Sequence, residues 1–414
     1  MDKVKKNRHF LGVAADYKNE LERIVKNVLL LRSLKKGKET SWENAAEWHL
    51  KYSYLHGSPV LALTVTLSPS GCDWARQGGC TMCGEFEGSN KRNNLMDDPK
   101  FHIAQFASAI SNPKVWATAN KENKPVSWLR INQEGNYINS QEMNHAAQEK
   151  ILNLATKIKG IKRITIESRP QFINKETVKF LRVIFDGSGI ELEIGMGIEA
   201  ENDVIRNICV NKAETKKRFE EAAFLLNANG ILPLAYVLLK PPFITESEAI
   251  DEAVRTARFA NEIGFLRISF EPMSIHGYTL VDALQKAGYY KVPWLWSVIE
   301  VTKQCQDIPD FGIGGTGYYP IPDTYSKNHC NKGCNYNFLD AIITYNKKRD
   351  IGVFDKLDCS CRKDWKLELT QSAKPLKERI NEQLSKVETM IKDYHYDESN
   401  TGRISRVILA GEAQ

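Results

Sequence analysis

The chain has 414 residues, 42% of them hydrophobic and 26% charged, with a formal net charge of +6. That composition is globular, and the length exceeds a usual single domain but suits a barrel with appendages. No apolar run approaches the roughly 20 residues of a membrane span, and MDKVKKNRHF carries charge without the apolar stretch of a signal peptide. Nine cysteines in such a chain imply a reducing cytoplasm and metal ligation in place of disulfides.

Residues 1–52 hold 12 Lys/Arg against 7 Asp/Glu, so +5 of the net +6 falls there. Lys3, Lys5, Lys6, Lys35, Lys36 and Lys38 contribute to it. Such a segment fits a nucleic-acid backbone, or equally a solvated helical face with mixed signs, as in YKNELERIVKN.

Strand signals then recur at Val60–Leu67, Ser127–Asn132, Arg163–Glu167, Glu191–Gly197, Leu232–Leu239 and Arg267–Phe270. Between them lie the helical windows Gln141–Lys159, Lys175–Phe185, Asp203–Ala228 and Ser247–Ile263. Short apolar runs alternating with helices predict parallel strands with helical crossovers. Cys72, Gln133, Glu167, Glu199, Lys240 and Glu271 all fall at or just beyond expected strand C-termini, the face that carries active sites in such barrels.

The first of these loops, TLSPSGCDWARQGGCTMCGEF, contains Cys72, Cys80 and Cys83. Three thiolates on one loop can hold three irons of a cubane cluster and leave the fourth open. S-adenosylmethionine (SAM) chelates that open iron in radical SAM enzymes. A zinc site or free thiols are the alternatives; zinc normally wants a fourth ligand, and no His or Cys lies close in sequence. The fold expected is α/β: a partial (β/α)6 barrel of the radical SAM type over 56–311, a basic helical extension over 1–55, and a small Cys-rich module with a terminal helix over 312–414.

Several other residues are candidates for the site. Met82, between the second and third cysteines, can shield a cluster or lie against adenine, or simply fill the core. Glu134-Gly135 follows the second expected strand, where glycine lets backbone approach a ligand and is also a common turn signal. Glu167 and Arg169 in ESRP suit ribose hydroxyls, an ammonium or a carboxylate, or form a local ion pair. Glu199 and Lys212 carry the charges that hold a zwitterionic amino acid, or Glu199 caps a helix beginning near Asn202. Late in the chain, HCNKGC and DCSC supply Cys330, Cys334, Cys359 and Cys361. Two close pairs are the pattern of a closed four-thiolate site, structural zinc first and a second iron–sulfur cluster next. Cys209 and Cys305 read as ordinary thiols, and the tryptophans of KVPWLW as core more than as base-stacking platforms.

Taken together, GCDWARQGGCTMCGE, ITIESRPQFI, GMGIEAENDVIRNICVNK, YVLLKPPFITESEAIDEAV and VPWLWSVIEV resemble the archaeosine-forming radical SAM lyases, relatives of the radical SAM part of the elongator tRNA-uridine acetyltransferase. The likeness runs over roughly residues 55–366, and Lys363 and Trp365 after the late CxC also look familial. The resemblance implies a tRNA substrate on which a partner transferase has placed lysine on a cyano-deazaguanine. The enzyme then abstracts hydrogen from that lysine and breaks its carbon–nitrogen bond, leaving the amidine of archaeosine and a semialdehyde. It also implies a 4Fe-4S cluster on Cys72, Cys80 and Cys83, SAM contacts from Glu167, Glu199 and Lys212, and a low-potential electron donor. The same machinery on a small molecule or peptide, or a non-catalytic metal-containing RNA-binding protein, are the competing expectations.

Overall fold

The computed structural model describes residues 15–35, 46–68, 71–84, 98–133, 135–316, 321–326, 329–330 and 333–398, without the side chains of 393–398. Of the residues singled out above, Lys3, Lys5, Lys6, Lys36, Lys38 and Glu134 lie outside this set.

One curled eight-stranded sheet runs in sequence order: β1 Glu47–Leu55, β2 Ser58–Thr66, β3 Val126–Asn132, β4 Arg163–Glu167, β5 Glu191–Glu199, β6 Leu232–Leu239, β7 Arg267–Pro272 and β8 Phe311–Ile313. β2 to β8 are parallel, and β1 pairs antiparallel with β2. The six expected strands are all present. β1 and β8 extend them, and neither was foreseen: β1, EWHLKYSYL, is too polar to read as a buried strand.

Period-two alternation separates two environments. On β4, β5 and β7, Ile164, Ile166, Ile194, Met196, Ile268 and Phe270 face outward and are fully buried under helices. Their neighbours Arg163, Thr165, Glu193 and Arg267 face inward, and this inner surface is polar. Arg267 and Thr165 both reach Glu193, at 3.0 and 2.8 Å. The guanidinium groups of Arg130, Arg163 and Arg267 ring the face of Trp128, each within about 5 Å of its centre. Leu55, Val60, Ala62 and Trp128 plug the base of the lumen. The helix Asn335–Lys348 packs against β1, β2 and β8, spanning the two edges of the open sheet.

Helix starts follow local sequence. Thr245 and Glu248 form a reciprocal capping box on Glu246–Glu262, and Asn174 caps Lys175–Phe185. The expected helical window Asp203–Ala228 is instead broken. A π-turn at Ile205–Cys209 ends in a loop, and a helix restarts at Lys216–Asn227. Asn211 and Ala213 adopt left-handed backbone (φ 56° each), which no continuous helix accommodates.

Candidate functional site

The cysteine loop leaves the C-terminal end of β2 and turns through the short helix Asp73–Arg76. It is held from three sides. From the helix Lys18–Ser33, Arg32 donates to the carbonyls of Gly78 and Cys80 at 2.8 Å, of Ala75 at 3.2 Å and of Cys83 at 3.3 Å. Arg32 is only 3% exposed, and a Cβ on Gly79 would lie 2.3 Å from its guanidinium, so glycine is required there. From the broken helical window, Asn211 donates to the Gly79 carbonyl at 2.6 Å, and Thr81 donates to the Cys209 carbonyl at 2.7 Å. From the loop after β3, the Glu142 carboxylate accepts from the Asp73 amide and from Asn136 and Asn139. Burial pushes the Glu142 pKa up, opposed by those donors. A Cβ on Gly135 would sit 2.5 Å from Glu142, so this glycine makes room for the anchoring carboxylate.

Cys72, Cys80 and Cys83 border one cavity of about 210 Å³ at the C-terminal face of the sheet. Met82, Gly135, Glu167, Arg169, Glu199 and Lys212 line the same cavity, so residues spread over 141 positions of sequence converge there. Lys212 Nζ meets Glu199 Oε1 at 2.8 Å. Burial works against the Lys212 charge, but the neighbouring Glu199, followed by Cys80, outweighs it and raises its pKa. Glu167 accepts from the Tyr236 hydroxyl at 2.6 Å, and burial raises its pKa. Arg169 differs from the expectation of a ligand clamp. Its Nε and Nη2 are held by Glu214 Oε1 at 2.9 and 2.6 Å, and Nη2 also donates to the Lys212 carbonyl. Its guanidinium lies over the Trp74 ring. Three strand-end residues do not line the cavity: Gln133, Glu271 and Lys240. Lys240 turns away to a 2.6 Å ion pair with buried Glu246.

The donor set fits an iron–sulfur cubane. Three thiols face a cavity with cations at its wall, and among the described residues they do not form a contracted group of ligand atoms like the one found later in the chain. Arg32, Glu142, Asn136, Trp74 and Tyr236 were not legible as site residues. Arg32 is one basic residue on a mixed-charge helix, Glu142 and Asn136 lie in a polar stretch with many similar neighbours, Tyr236 sits inside the apolar strand β6, and Trp74 carries no ligand-type group.

The second cysteine set is of the contracted kind. The ligand atoms of Cys330, Cys334, Cys359 and Cys361 all lie within 4.8 Å of one another. Cys330 and Cys359 sulfurs are 3.6 Å apart, and Cys334 and Cys361 3.8 Å. A tetrahedral ion with metal–sulfur bonds of about 2.3 Å separates its sulfurs by about 3.8 Å. A cubane carries its thiolates on four outward corners and holds them farther apart. The four thiols are placed to hold a metal. Trp296 Nε1 donates to Cys361 at 3.3 Å, and Trp365 donates to Ser297, which in turn donates to Glu246. Trp294 and Trp296 are 5% and 6% exposed, so KVPWLW is core that joins the quartet to the barrel. Cys209 and Cys305 are fully buried, and burial pushes the Cys305 thiol up to about 12.

No family model matches the chain. It is 28% identical to archaeosine synthase subunit beta of Methanosarcina acetivorans over 78% of this chain and 89% of that one. The protein of the same name from Thermococcus kodakarensis is 27% identical, over 75% and 92%. An uncharacterised protein of Methanocaldococcus jannaschii is 28% identical, over 77% and 85%. Among solved structures, a radical S-adenosylmethionine methyltransferase of Kitasatospora setae aligns over 54% of this chain and 39% of that one, with 12% identity. Its TM-score of 0.34 is too low to bear on the fold.

Proposed function

We propose that the chain is a radical SAM enzyme of tRNA modification that cleaves the carbon–nitrogen bond of a lysine-modified deazaguanine to form archaeosine. The observation that carries this reading is the convergence of Cys72, Cys80 and Cys83 with Glu199–Lys212 on one cavity at the C-terminal face of the sheet. Two relatives named archaeosine synthase subunit beta, each aligned over most of both chains, support the substrate. In this reading Cys72, Cys80 and Cys83 hold a 4Fe-4S cluster, whose bound SAM supplies a deoxyadenosyl radical. Lys212 and Glu199 grip the amino-acid end of SAM, Glu167 contacts it from the end of β4 and Gly135 from the loop after β3, and Met82 shields the cluster. Arg169 orients the Lys212 loop. Cys330, Cys334, Cys359 and Cys361 hold structural zinc.

The domains follow as 1–55, 56–311 and 312–414, working in the cytoplasm with a low-potential electron donor and a lysine transferase. No described helix is long and apolar enough to cross a membrane. Residues 1–52 and the barrel mouth take the tRNA phosphates.

The test is anaerobic reconstitution with iron and sulfide, then SAM and lysine-modified tRNA. Deoxyadenosine, methionine and the amidine base are expected together. Deoxyadenosine without any change in the tRNA would favour a small-molecule or peptide substrate. Affinity for tRNA must also fall steeply with salt, since phosphate binding releases counterions. Affinity indifferent to salt would remove tRNA as the substrate.

A further inference from the structure

Beside the cysteine cavity lies a second cleft, of about 350 Å³, that the proposed chemistry does not use. It is enclosed at the C-terminal face of the sheet by three segments. These are the short helix after Cys72 with Gln77 at its end, the turn Pro170–Phe172 after β4, and the approach to the helix Lys216–Asn227. Trp74, Asn136 and Arg169 line both the cleft and the cysteine cavity, so one layer of side chains divides the two. Asn136 and Arg169 are engaged in that wall: Asn136 accepts from the Arg169 amide and donates to Glu142, and Arg169 pairs with Glu214. The groups on the far side keep hydrogen-bonding capacity. Gln77 donates through its amide nitrogen to the Asp73 carbonyl at 3.3 Å, which leaves its oxygen to accept. Gln171 accepts from Arg169 Nε at 3.3 Å, which leaves its nitrogen to donate. Arg218, exposed at the rim, commits Nη1 to Glu214 at 3.2 Å. Half-buried Phe172 adds an aromatic surface among them.

We propose that this cleft is a subsite for one unpaired nucleobase of the substrate RNA, the chain neighbour of the modified base. It rests on the proposed function, whose substrate it specifies further. An enzyme that works on a base within a folded RNA swings that base out of its stack, and contacts to the flanking nucleotides then help to choose the site. The flanking base is one nucleotide away from the reacting one, and the cleft is one wall away from the cavity. Its volume lies at the lower end of those that hold small ligands. A nucleobase offers a π-face and an edge that mixes donors with acceptors. Phe172 suits the face, and the amides of Gln77 and Gln171, one accepting and one donating, suit the edge. Arg218 at the rim suits the adjoining phosphate. Asp73 and Glu142 stand in the same lining, which disfavours a ligand that is only anionic.

The experiment gives the reconstituted holoenzyme three lysine-modified tRNAs: one intact, one lacking the base on the 5′ side of the modified one, and one lacking the base on its 3′ side. Wild type should lose about tenfold or more in kcat/KM with one of the two abasic tRNAs, the size expected of one stacked base. F172L removes the ring and keeps apolar bulk, and Q171A removes an exposed amide. In each variant the intact tRNA should fall towards that abasic one, so the ratio between them shrinks towards one. Structural damage lowers both tRNAs together and keeps the ratio. Loss of the ratio in either variant therefore upholds the subsite, and one variant suffices if the other fails to fold. Equal use of the three tRNAs by wild type, or a ratio kept in both variants, overturns the subsite and leaves the proposed function standing, because the amidine base still forms. If wild type converts none of the three, the tRNA substrate falls and the subsite falls with it.

Discussion

Arg32 Nη2 lies 2.8 Å from the carbonyl oxygen of Cys80, so the guanidinium of an N-terminal helix grips the backbone of the second cysteine in the candidate cluster loop. The same helix is fastened at its other end. Arg23 makes paired 2.9 Å bonds to Glu388 of the C-terminal helix Leu376–Glu398, and Asn381 of that helix bonds Glu20. The helices Lys18–Ser33 and Leu376–Glu398 thus act as one clamp on the loop, and Arg23 and Arg32 spend their charge inside the protein.

Replacing Arg32 tests this clamp. R32Q leaves the Ala75, Gly78, Cys80 and Cys83 carbonyls without their charged donor, a loss on the order of 3 kcal/mol. R32K restores charge without the planar fork and should fall between. Urea denaturation of the metal-free protein reads the stability, and iron per chain after reconstitution reads the loop. Unchanged iron binding in R32Q would show the loop to be held without Arg32.

The three loop cysteines make a sharper prediction. The triple variant C72A/C80A/C83A should lose both the iron absorbance and deoxyadenosine formation, because no other thiol lines the cavity. SAM cleavage persisting in that variant would end the radical SAM assignment.

Metal analysis of the same triple variant decides the second site. About one zinc per chain is expected from the spacing of Cys330, Cys334, Cys359 and Cys361. C334S should then unfold at lower denaturant, since a structural zinc contributes its binding energy to folding. About four irons with equimolar acid-labile sulfide in place of zinc would assign a second cluster.

Stability should depend on pH through Lys51. Burial, followed by the neighbouring Arg130, pushes its pKa down to about 7 from the ordinary 10.5. Between those values the unfolded chain holds a proton that the folded chain has released. Stability from this group is therefore complete above the unfolded value, declines as pH falls, and is gone below about 7. The slope is at most about 1.4 kcal/mol per pH unit. Denaturation of wild type and K51M at pH 7 and pH 9 should show wild type gaining on the variant at the higher pH. Parallel behaviour would place Lys51 in a wetter setting.

The sequence alone determined the repeating scheme and the chemistry-bearing types. Parallel strands from β2 to β7 announced themselves because each is a short apolar run between helical windows, and local patterning suffices for that. Cys72, Cys80 and Cys83 were legible because three ligands sit on one short loop, and the late cysteines because they come in close pairs. Tertiary structure decided the rest. Only the curl of the sheet brings Lys51 and Glu271 into one lumen from 220 positions apart. Polar strands such as β1 carry no apolar signal of their own; pairing with β2 makes them strands. The π-turn and left-handed residues that deliver Lys212 lie in a window whose composition favours a continuous helix. Arg32 became a site residue because a helix far from the loop in sequence packs beside it, and a single arginine carries no mark of where its helix will dock.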